Sequence, residues 1–191
     1  MRHIFIITIG ISILFGQSGY EIAKRLDEKD KPKNMVSRTS MVLTNSKGKM
    51  RNSVMITKTM DNSRRQLIWF LEPKDDRGVS FLKIEHNDRD DEMRIWLPAF
   101  KRVRRISATK KGDSFMGSDL SYEDMTSRSL DENEYKRLDD DVIDGRDCFV
   151  LKVTPTTSLK SSYSRHKLWI VKDDLYTVKE ESYDKREKLK K

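Results

Sequence analysis

The residues with the clearest capacity for chemistry form a basic run near the middle of the chain. Residues 101–111 hold six cations and no acid, namely Lys101, Arg102, Arg104, Arg105, Lys110 and Lys111. Such a run can bind the phosphates of anionic lipid headgroups or an acidic partner at a membrane. It can also be a solvated strand edge, since charged side chains there prevent pairing with another chain. The sequence therefore predicts a docking patch and leaves the solvated edge open as the alternative.

Groups that would support catalysis or metal binding are scattered along the chain. None of the three histidines, His3, His86 and His166, stands at ligand spacing from a cysteine or a carboxylate. The acidic turn after His86 lacks the spacing and the glycine of a calcium loop. Gly48 and Lys49 lack the rest of a phosphate-binding loop, and no G-x-S-x-G motif occurs. We therefore predict no metal, no cofactor and no enzyme activity, although a hydrolase of another kind stays open.

Large apolar side chains are more numerous than a chain with few predicted helices needs for an ordinary core. The nine methionines add flexible thioethers, which suit ligands of irregular shape. A carrier needs a preformed apolar concavity with a polar mouth, and no reactive group. We predict that the concavity is lined by Val54, Ile56, Leu67, Trp69, Leu71, Phe81, Met93, Ile95, Leu97, Phe115 and Met116. The alternative is that these residues form an ordinary core.

The first residues have the layout of an export signal. Arg2 and His3 precede an apolar stretch at residues 4–15, and small or polar residues follow at 16–19. The stretch is shorter than the about 20 residues that a membrane-spanning helix needs. We expect a cleavable signal peptide at residues 1–18 and a periplasmic mature protein. An uncleaved membrane anchor is the alternative.

Composition narrows the choice of partners. The 191 residues carry a formal charge of +8, which suits nucleic acid, anionic membrane surfaces or acidic partners. The export signal and the lack of alternating aromatic and basic residues disfavour nucleic acid. Cys148 is the one cysteine, and it precedes an apolar strand, so we expect it to be a small buried hydrophobe.

Alternating apolar residues predict the elements that must position these groups. A short helix and a linker are expected at residues 19–34, followed by an antiparallel meander of short strands at residues 35–183. Within the meander, Ser118 or Asp119 is expected to cap a short helix that carries Leu120, Tyr122 and Met125. Residues 184–191 are almost wholly charged and are expected to form a tail.

Two neighbouring motifs resemble a known family. WLPAFKRVRRI at residues 96–106 and FMGSDLSYEDM at residues 115–125 are similar to the periplasmic outer-membrane lipoprotein-sorting proteins. The closer resemblance is to their LolA-like branch, which is associated with RND-type exporters. It extends over about residues 41–183. It implies a mainly β fold: a strongly curved antiparallel sheet, an incomplete half-barrel of the LolA/LolB type, with helices against the concave side.

The resemblance also implies a function. Such proteins bind lipid or lipoprotein acyl chains in an apolar concavity and sort them toward the outer membrane. An RND-type inner-membrane transporter and an anionic membrane surface are then the expected partners, and no nucleic acid is expected. The alternative is a non-carrying periplasmic adaptor that docks on a transporter through the basic run. A purified carrier should contain lipid, whereas an adaptor should not.

The family pattern continues beyond the residues of this chain. Its members have further strands after the position of Tyr183, where this chain has only the charged tail. We therefore expect a C-terminally short member whose last strand is unpaired along one side. Because such an edge invites pairing with another chain, the mature protein is expected to be marginally stable or self-associating.

Overall fold

A computed structural model describes residues 17–191, which form one α-helix and ten β-strands. The elements are α1 (Gly19–Asp27), β1 (Asn34–Thr44), β2 (Met50–Met60), β3 (Arg65–Glu72), β4 (Ser80–Ile84), β5 (Glu92–Leu97), β6 (Arg102–Ile106), β7 (Asn133–Ile143), β8 (Arg146–Pro155), β9 (Tyr163–Val171) and β10 (Thr177–Asp184). The predicted signal peptide lies, except for its last two residues, outside the described part of the chain. Within residues 17–191, no helix is long and apolar enough to cross a membrane.

The strands form two antiparallel sheets in which chain neighbours are also sheet neighbours. The first sheet has the order β1-β2-β3-β4-β5-β6, and the second has the order β10-β9-β8-β7. Tight turns make this meander possible. Asp144 (φ 50°) and Gly145 (φ 74°), for example, are both left-handed, as a two-residue hairpin between β7 and β8 requires. The predicted mainly β fold with an unclosed antiparallel meander is confirmed, with its strands divided between two sheets.

The division falls at residues 107–132, which connect the sheets and contain short 3-10 turns but no strand. A helix capped by Ser118 or Asp119 was expected here. Instead a 3-10 turn spans Tyr122–Met125, and the Asp124 carboxylate accepts the Ser121 backbone N–H at 2.7 Å. Residues 116–120 bend the chain before that turn, so the helical segment begins later and stays short.

Alternation along the strands gives the first sheet two different faces. Ile68 pairs with Phe81, and Phe81 pairs with Ile95, so these three share one face, where each is at most 5% exposed. Successive side chains of a strand point to opposite faces. Trp69 and Trp96 therefore lie on the other face, where they are 53% and 37% exposed. We call the first the inner face and the second the outer face.

Helix α1 packs on the second sheet, and its start is fixed by a capping box. The Ser18 N–H donates to the Glu21 carboxylate at 2.7 Å, and the Glu21 N–H donates to the Ser18 hydroxyl at 3.2 Å. This exchange satisfies two backbone donors at the helix start and is typical of a stable N-terminus. Cleavage after residue 18, as predicted from the sequence, would remove this cap from the mature protein. Ile22 is fully buried against Leu151 and Ile170 of the sheet.

The opposite face of the second sheet holds its own small apolar cluster around Trp169. The indole N–H donates to Asp141 at 2.9 Å, and the ammonium groups of Lys167 and Lys179 lie 4.4 and 4.2 Å from the ring centre. Cys148 belongs to this cluster and is 0% exposed. The prediction that Cys148 is a small buried hydrophobe is confirmed.

The charged tail does not extend away from the fold. The Asp184 carboxylate accepts the backbone N–H groups of Arg186 and Lys188, and these bonds reverse the chain. The Ser182 N–H then donates to the Lys191 carbonyl at 3.0 Å. The last strand was expected to be unpaired along one side. This is wrong at the C-terminal end of β10, because the tail folds back and pairs with residues 182–184. The predicted self-association stays a prediction.

Gly19 gives a prediction about the contact between α1 and β7. A Cβ atom at this position would lie 2.8 Å from both the Arg137 nitrogen and the Tyr135 carbonyl oxygen. Alanine usually stabilises a helix by about 1 kcal/mol relative to glycine. Here we expect Gly19→Ala to lower the free energy of unfolding by about 1–3 kcal/mol, because the methyl group must push two strand backbone groups away.

Urea unfolding of the purified protein measures this change. Lys24→Ala, on the exposed side of the same helix, is the matched control and should leave the stability about unchanged. A Gly19→Ala variant as stable as the wild type would contradict the close packing of α1 on β7.

Candidate functional site

A segment without regular strands covers the inner face of the first sheet. We call residues 112–126 the cover segment. Its side chains Phe115 and Tyr122 are buried and complete the apolar cluster of the sheet. The Phe115 ring lies 5.4 Å from the Phe81 ring, 6.2 Å from the Phe70 ring and 5.8 Å from the Tyr122 ring, measured between centroids. The inner face is therefore closed by aromatic side chains that come from outside the sheet.

A tight loop directs Phe115 toward the sheet. Met116 (φ 52°) and Gly117 (φ 77°) are both left-handed, and glycine adopts this conformation without steric cost. The Ser118 N–H donates to the Phe115 carbonyl at 3.0 Å, and the Phe115 N–H donates to the Leu120 carbonyl at 2.7 Å. The chain reverses immediately after Phe115, so the aromatic ring occupies the tip that enters the cluster.

Two carboxylates of the cover segment accept hydrogen bonds from the second sheet and from the loop that precedes β9. The Glu123 carboxylate accepts the Ser161 hydroxyl at 2.5 Å, the Ser162 hydroxyl at 2.5 Å and the Ser162 backbone N–H at 2.7 Å. Hydrogen bonds to an ionised acceptor are stronger than those between neutral groups. Glu123 thus holds the cover segment through contacts that depend on one side chain.

Asp124 is the second of these carboxylates. It accepts the Tyr163 hydroxyl at 2.8 Å and lies 2.7 Å from the Lys191 ammonium. Burial alone would raise the pKa of Asp124, but the hydrogen bonds from Lys191, the Ser121 backbone and Tyr163 outweigh burial and lower it. The carboxylate therefore stays charged at neutral pH. We call Glu123 and Asp124 together the latch.

A pocket of about 430 Å³ lies beside the latch. On its wall, Arg128 lies 2.5 Å and His166 3.2 Å from the Glu180 carboxylate, and the Ser182 hydroxyl lies 2.9 Å from the His166 ring. Burial alone would raise the pKa of Glu180, but the hydrogen bonds from His166 and Arg128 hold it far below its usual range. Leu120, Met125 and Leu159 also line the pocket, so its wall is mixed and the charged pair occupies one side of it.

The eleven residues predicted to line one concavity lie on two surfaces. Six belong to or pack against the inner cluster: Phe81, Met93, Ile95, Leu97, Phe115 and Met116. Four lie on the outer face, namely Val54, Ile56, Leu67 and Trp69, and Leu71 lies beside them at a β-bulge. The continuous apolar run of β3 hid the alternation that sends its side chains to opposite faces. The eleven residues therefore do not share one concavity, and their contact with lipid stays a prediction.

The basic run is also divided by strand alternation. Residues 102–106 form β6, an exposed edge strand, which agrees with the solvated strand edge that the sequence left open as the alternative for this run. Arg102 and Arg104 point to the inner-face side, and Arg105 points to the outer face. Lys101, Arg102, Arg104, Arg105 and Lys110 are exposed, and Lys111 is half-buried 3.5 Å from Asp91. The six cations lie on an edge rather than on one surface, and their docking role stays a prediction.

Sequence reasoning missed the latch and the Arg128–Glu180 pair. The one local signal was the S-x-x-D capping pattern at residues 121–124, which predicts a helix start and not a contact with the second sheet. Among the described residues, no group of three His, Cys, Asp or Glu side chains is arranged to hold a metal ion.

The lowered pKa of Glu180 gives a prediction about acid stability. Because the pKa is lower in the folded protein, the stabilisation from its charge is present above the ordinary value of 4.5 and is lost as the pH falls further. We expect the Tm of the wild type to fall between about pH 5 and pH 3 more steeply than that of Glu180→Gln. Thermal unfolding followed by circular dichroism measures both profiles. Glu134→Gln, at an exposed position of β7, should keep the wild-type slope. Parallel profiles for Glu180→Gln and the wild type would contradict the assignment.

Comparison with known proteins agrees with this architecture. A family profile with the description "Uncharacterized protein" matches residues 62–191. A DUF1329 family protein from Desulfovibrio piger is 34% identical with a TM-score of 0.82, and the match covers 90% of this chain and 74% of that one. A domain from Vibrio parahaemolyticus assigned to the outer membrane lipoprotein-sorting proteins is 31% identical, with the same TM-score and the same coverage.

A LolA superfamily protein from Nitrosomonas europaea shares the fold, with a TM-score of 0.61 at 18% identity over 91% of this chain and 75% of that one. No curated protein sequence matches the chain. The motifs at residues 96–106 and 115–125, the unclosed antiparallel fold and two solved structures above 30% identity lead to one conclusion. The chain belongs to the family of outer-membrane lipoprotein-sorting proteins and DUF1329 proteins, and it shares its fold with the LolA superfamily.

Proposed function

We propose that the protein carries lipid or lipoprotein acyl chains through the periplasm toward the outer membrane, and that an acyl chain binds where the cover segment packs. The observation that carries this proposal is the insertion of Phe115 and Tyr122 into the inner cluster by a segment that adds no strand to the sheet. A segment of this kind can leave without breaking a ladder of backbone hydrogen bonds. The apolar inner face would then be open to a ligand.

The free energy lost when the two aromatic side chains leave the inner face is comparable to the free energy gained when an acyl chain is buried there. Removing two aromatic side chains from a core costs about 6–10 kcal/mol in total. An acyl chain with about a dozen CH₂ groups gains about 10 kcal/mol when it is buried, at about 0.8 kcal/mol per group. The apolar exchange alone is therefore close to balance, and the latch hydrogen bonds to Ser161, Ser162 and Tyr163 favour the closed cover segment.

Location and partners follow from the same proposal. Family membership and the predicted signal peptide at residues 1–18 support a periplasmic protein. An RND-type inner-membrane transporter is the proposed source of cargo, and the exposed cations of β6 support docking on it or on the anionic membrane beside it. The proposed role requires binding and release alone, so no catalytic group is assigned.

The filled inner cluster favours one alternative, a non-carrying adaptor whose cover segment never opens. In that case Phe115 and Tyr122 are ordinary core residues. Mass spectrometry of the protein purified from its periplasm separates the two functions, because a carrier should contain lipid and an adaptor should be empty.

Two touching aromatic residues provide a sharper test with a fluorescent fatty-acid probe. Phe115→Ala weakens the closed cover segment and should raise the apparent affinity for the probe, since more of the protein is then competent to bind. Phe81→Ala removes the surface on which the acyl chain would lie and should lower the affinity. Both truncations remove a buried ring of the same size from the same cluster. A rise in probe affinity for Phe115→Ala with a fall for Phe81→Ala would therefore identify a displaceable cover segment. A fall in affinity for both variants would identify ordinary core packing.

The latch provides a milder variant that keeps the core intact. Glu123→Gln weakens the charged hydrogen bonds to Ser161 and Ser162 and should raise probe affinity by about tenfold, the equivalent of about 1.4 kcal/mol. Glu134→Gln, at an exposed position of β7, removes the same charge outside the latch and should leave the affinity unchanged. Circular dichroism melting of each variant checks that it remains folded.

A further inference from the structure

The outer face of the first sheet presents a mainly apolar row of side chains to solvent, in which one serine separates two tryptophans. Ile56, Trp69, Ser80, Trp96 and Val103 are cross-strand partners on five neighbouring strands. Trp69 is 53% exposed, Trp96 37% and Val103 57%. At about 4.8 Å between strands the row is about 19 Å long. Exposed, mainly apolar surface of this kind marks a contact surface.

Cations lie in and beside this row. Arg38 pairs with Ile56 and continues the row onto β1, and Lys58 and Arg105 lie one step further along the strands on the same face. All three are exposed. Within residues 17–191 none of them forms an ion pair. The outer face thus combines exposed indole rings with cations that have no carboxylate partner in the described fold.

We propose that the outer face docks on the surface of an anionic phospholipid membrane. Tryptophan prefers the interface between headgroups and acyl chains, where its ring is buried and its N–H stays hydrated. Each lysine or arginine close to an anionic membrane contributes about 1 kcal/mol, which is about a fivefold gain in binding. The row supplies the apolar contact and the cations supply the attraction, and both lie on the same side of one sheet.

Charge argues against a second copy of the chain as the occupant. In a two-fold symmetric dimer the same patch faces itself, so the outer face would meet an equivalent outer face. Arg38, Lys58 and Arg105 would then face a second surface with a net positive charge, because the outer face carries more cations than carboxylates, and like charges at an interface are unfavourable. An anionic surface meets all three with opposite charge.

This inference is independent of the proposed acyl-chain site. The carrier proposal concerns the inner face and the cover segment, and the docking proposal concerns the outer face. Docking would keep the protein at the membrane with the inner face and the latch directed away from the lipid surface. Phe115→Ala should therefore leave membrane binding unchanged, and either proposal can fail without the other.

Vesicle sedimentation of the exported protein tests the docking surface. The protein should bind vesicles of equal parts phosphatidylcholine and phosphatidylglycerol, and binding should fall as salt screens the cations. Vesicles of phosphatidylcholine alone should bind it much more weakly. The tryptophans report the orientation, because Trp69 and Trp96 are exposed in solution and Trp169 is buried. Their emission should shift to the blue and become protected from an aqueous quencher on the anionic vesicles.

A matched pair of substitutions separates the outer face from the rest of the surface. Val103 and Val142 are both 57% exposed, but Val142 lies on β7 of the second sheet. Val103→Glu should weaken vesicle binding by about tenfold or more, since it removes an apolar contact and adds a repelled charge. Val142→Glu adds the same charge and should have a much smaller effect. Arg38→Gln should weaken binding by about fivefold.

Several results would overturn the proposal. Equal losses for Val103→Glu and Val142→Glu would show that only net charge matters. Binding that is insensitive to salt, or that leaves Trp69 and Trp96 open to the quencher, would identify another surface. A blue shift that grows with protein concentration in the absence of vesicles would identify a second copy of the chain as the occupant.

Discussion

The contact between Phe115 and the inner face is the interaction on which the rest of the arrangement depends. The six-stranded sheet buries apolar side chains on that face, and a sheet face of this size needs another layer to cover it. No helix of the described chain covers it, because α1 packs on the second sheet. The cover segment does so instead, with Phe115 at the tip of a tight loop. Its polar contacts to the second sheet then fix how the two sheets are joined.

Covering a sheet with an irregular segment has a functional consequence. A strand or a long helix would be held by many cooperative backbone contacts, whereas the cover segment is held by the side chains of Phe115 and Tyr122, by two methionines, by Ser121 and by the latch. Elements without such backbone contacts are the ones that open at low free-energy cost. In the proposed carrier, Phe115 and Glu123 would therefore control the opening of the cover segment. The two carboxylates of the latch, Glu123 and Asp124, stand next to each other in the sequence and bind different partners.

The first sheet carries apolar side chains on both faces, and each face makes a different kind of contact. On the inner face the apolar side chains are buried beneath the cover segment. On the outer face they alternate with cations and reach solvent. A ligand that replaces the cover must be wholly apolar where it meets Phe81, whereas anything that meets Trp69 and Trp96 must also satisfy Arg38, Lys58 and Arg105. The chemistry of the two faces therefore differs although the strands are shared.

The sequence by itself determined the mainly β class, most of the strands and the family, because alternation and turn residues are local signals and the motifs around Trp96 and Phe115 are long. It also identified Cys148 as buried. It placed β6 only as a solvated-edge alternative to a docking patch, since three of the strand's five residues are arginine, and it could not assign the faces of β3, where a continuous apolar run carries no period. Tertiary structure alone decided that Phe81 and Trp69 lie on opposite faces, because that depends on pairing with β4. It alone also decided that Glu123 and Asp124 form a latch, because their partners lie about forty residues later and are set by how the second sheet packs.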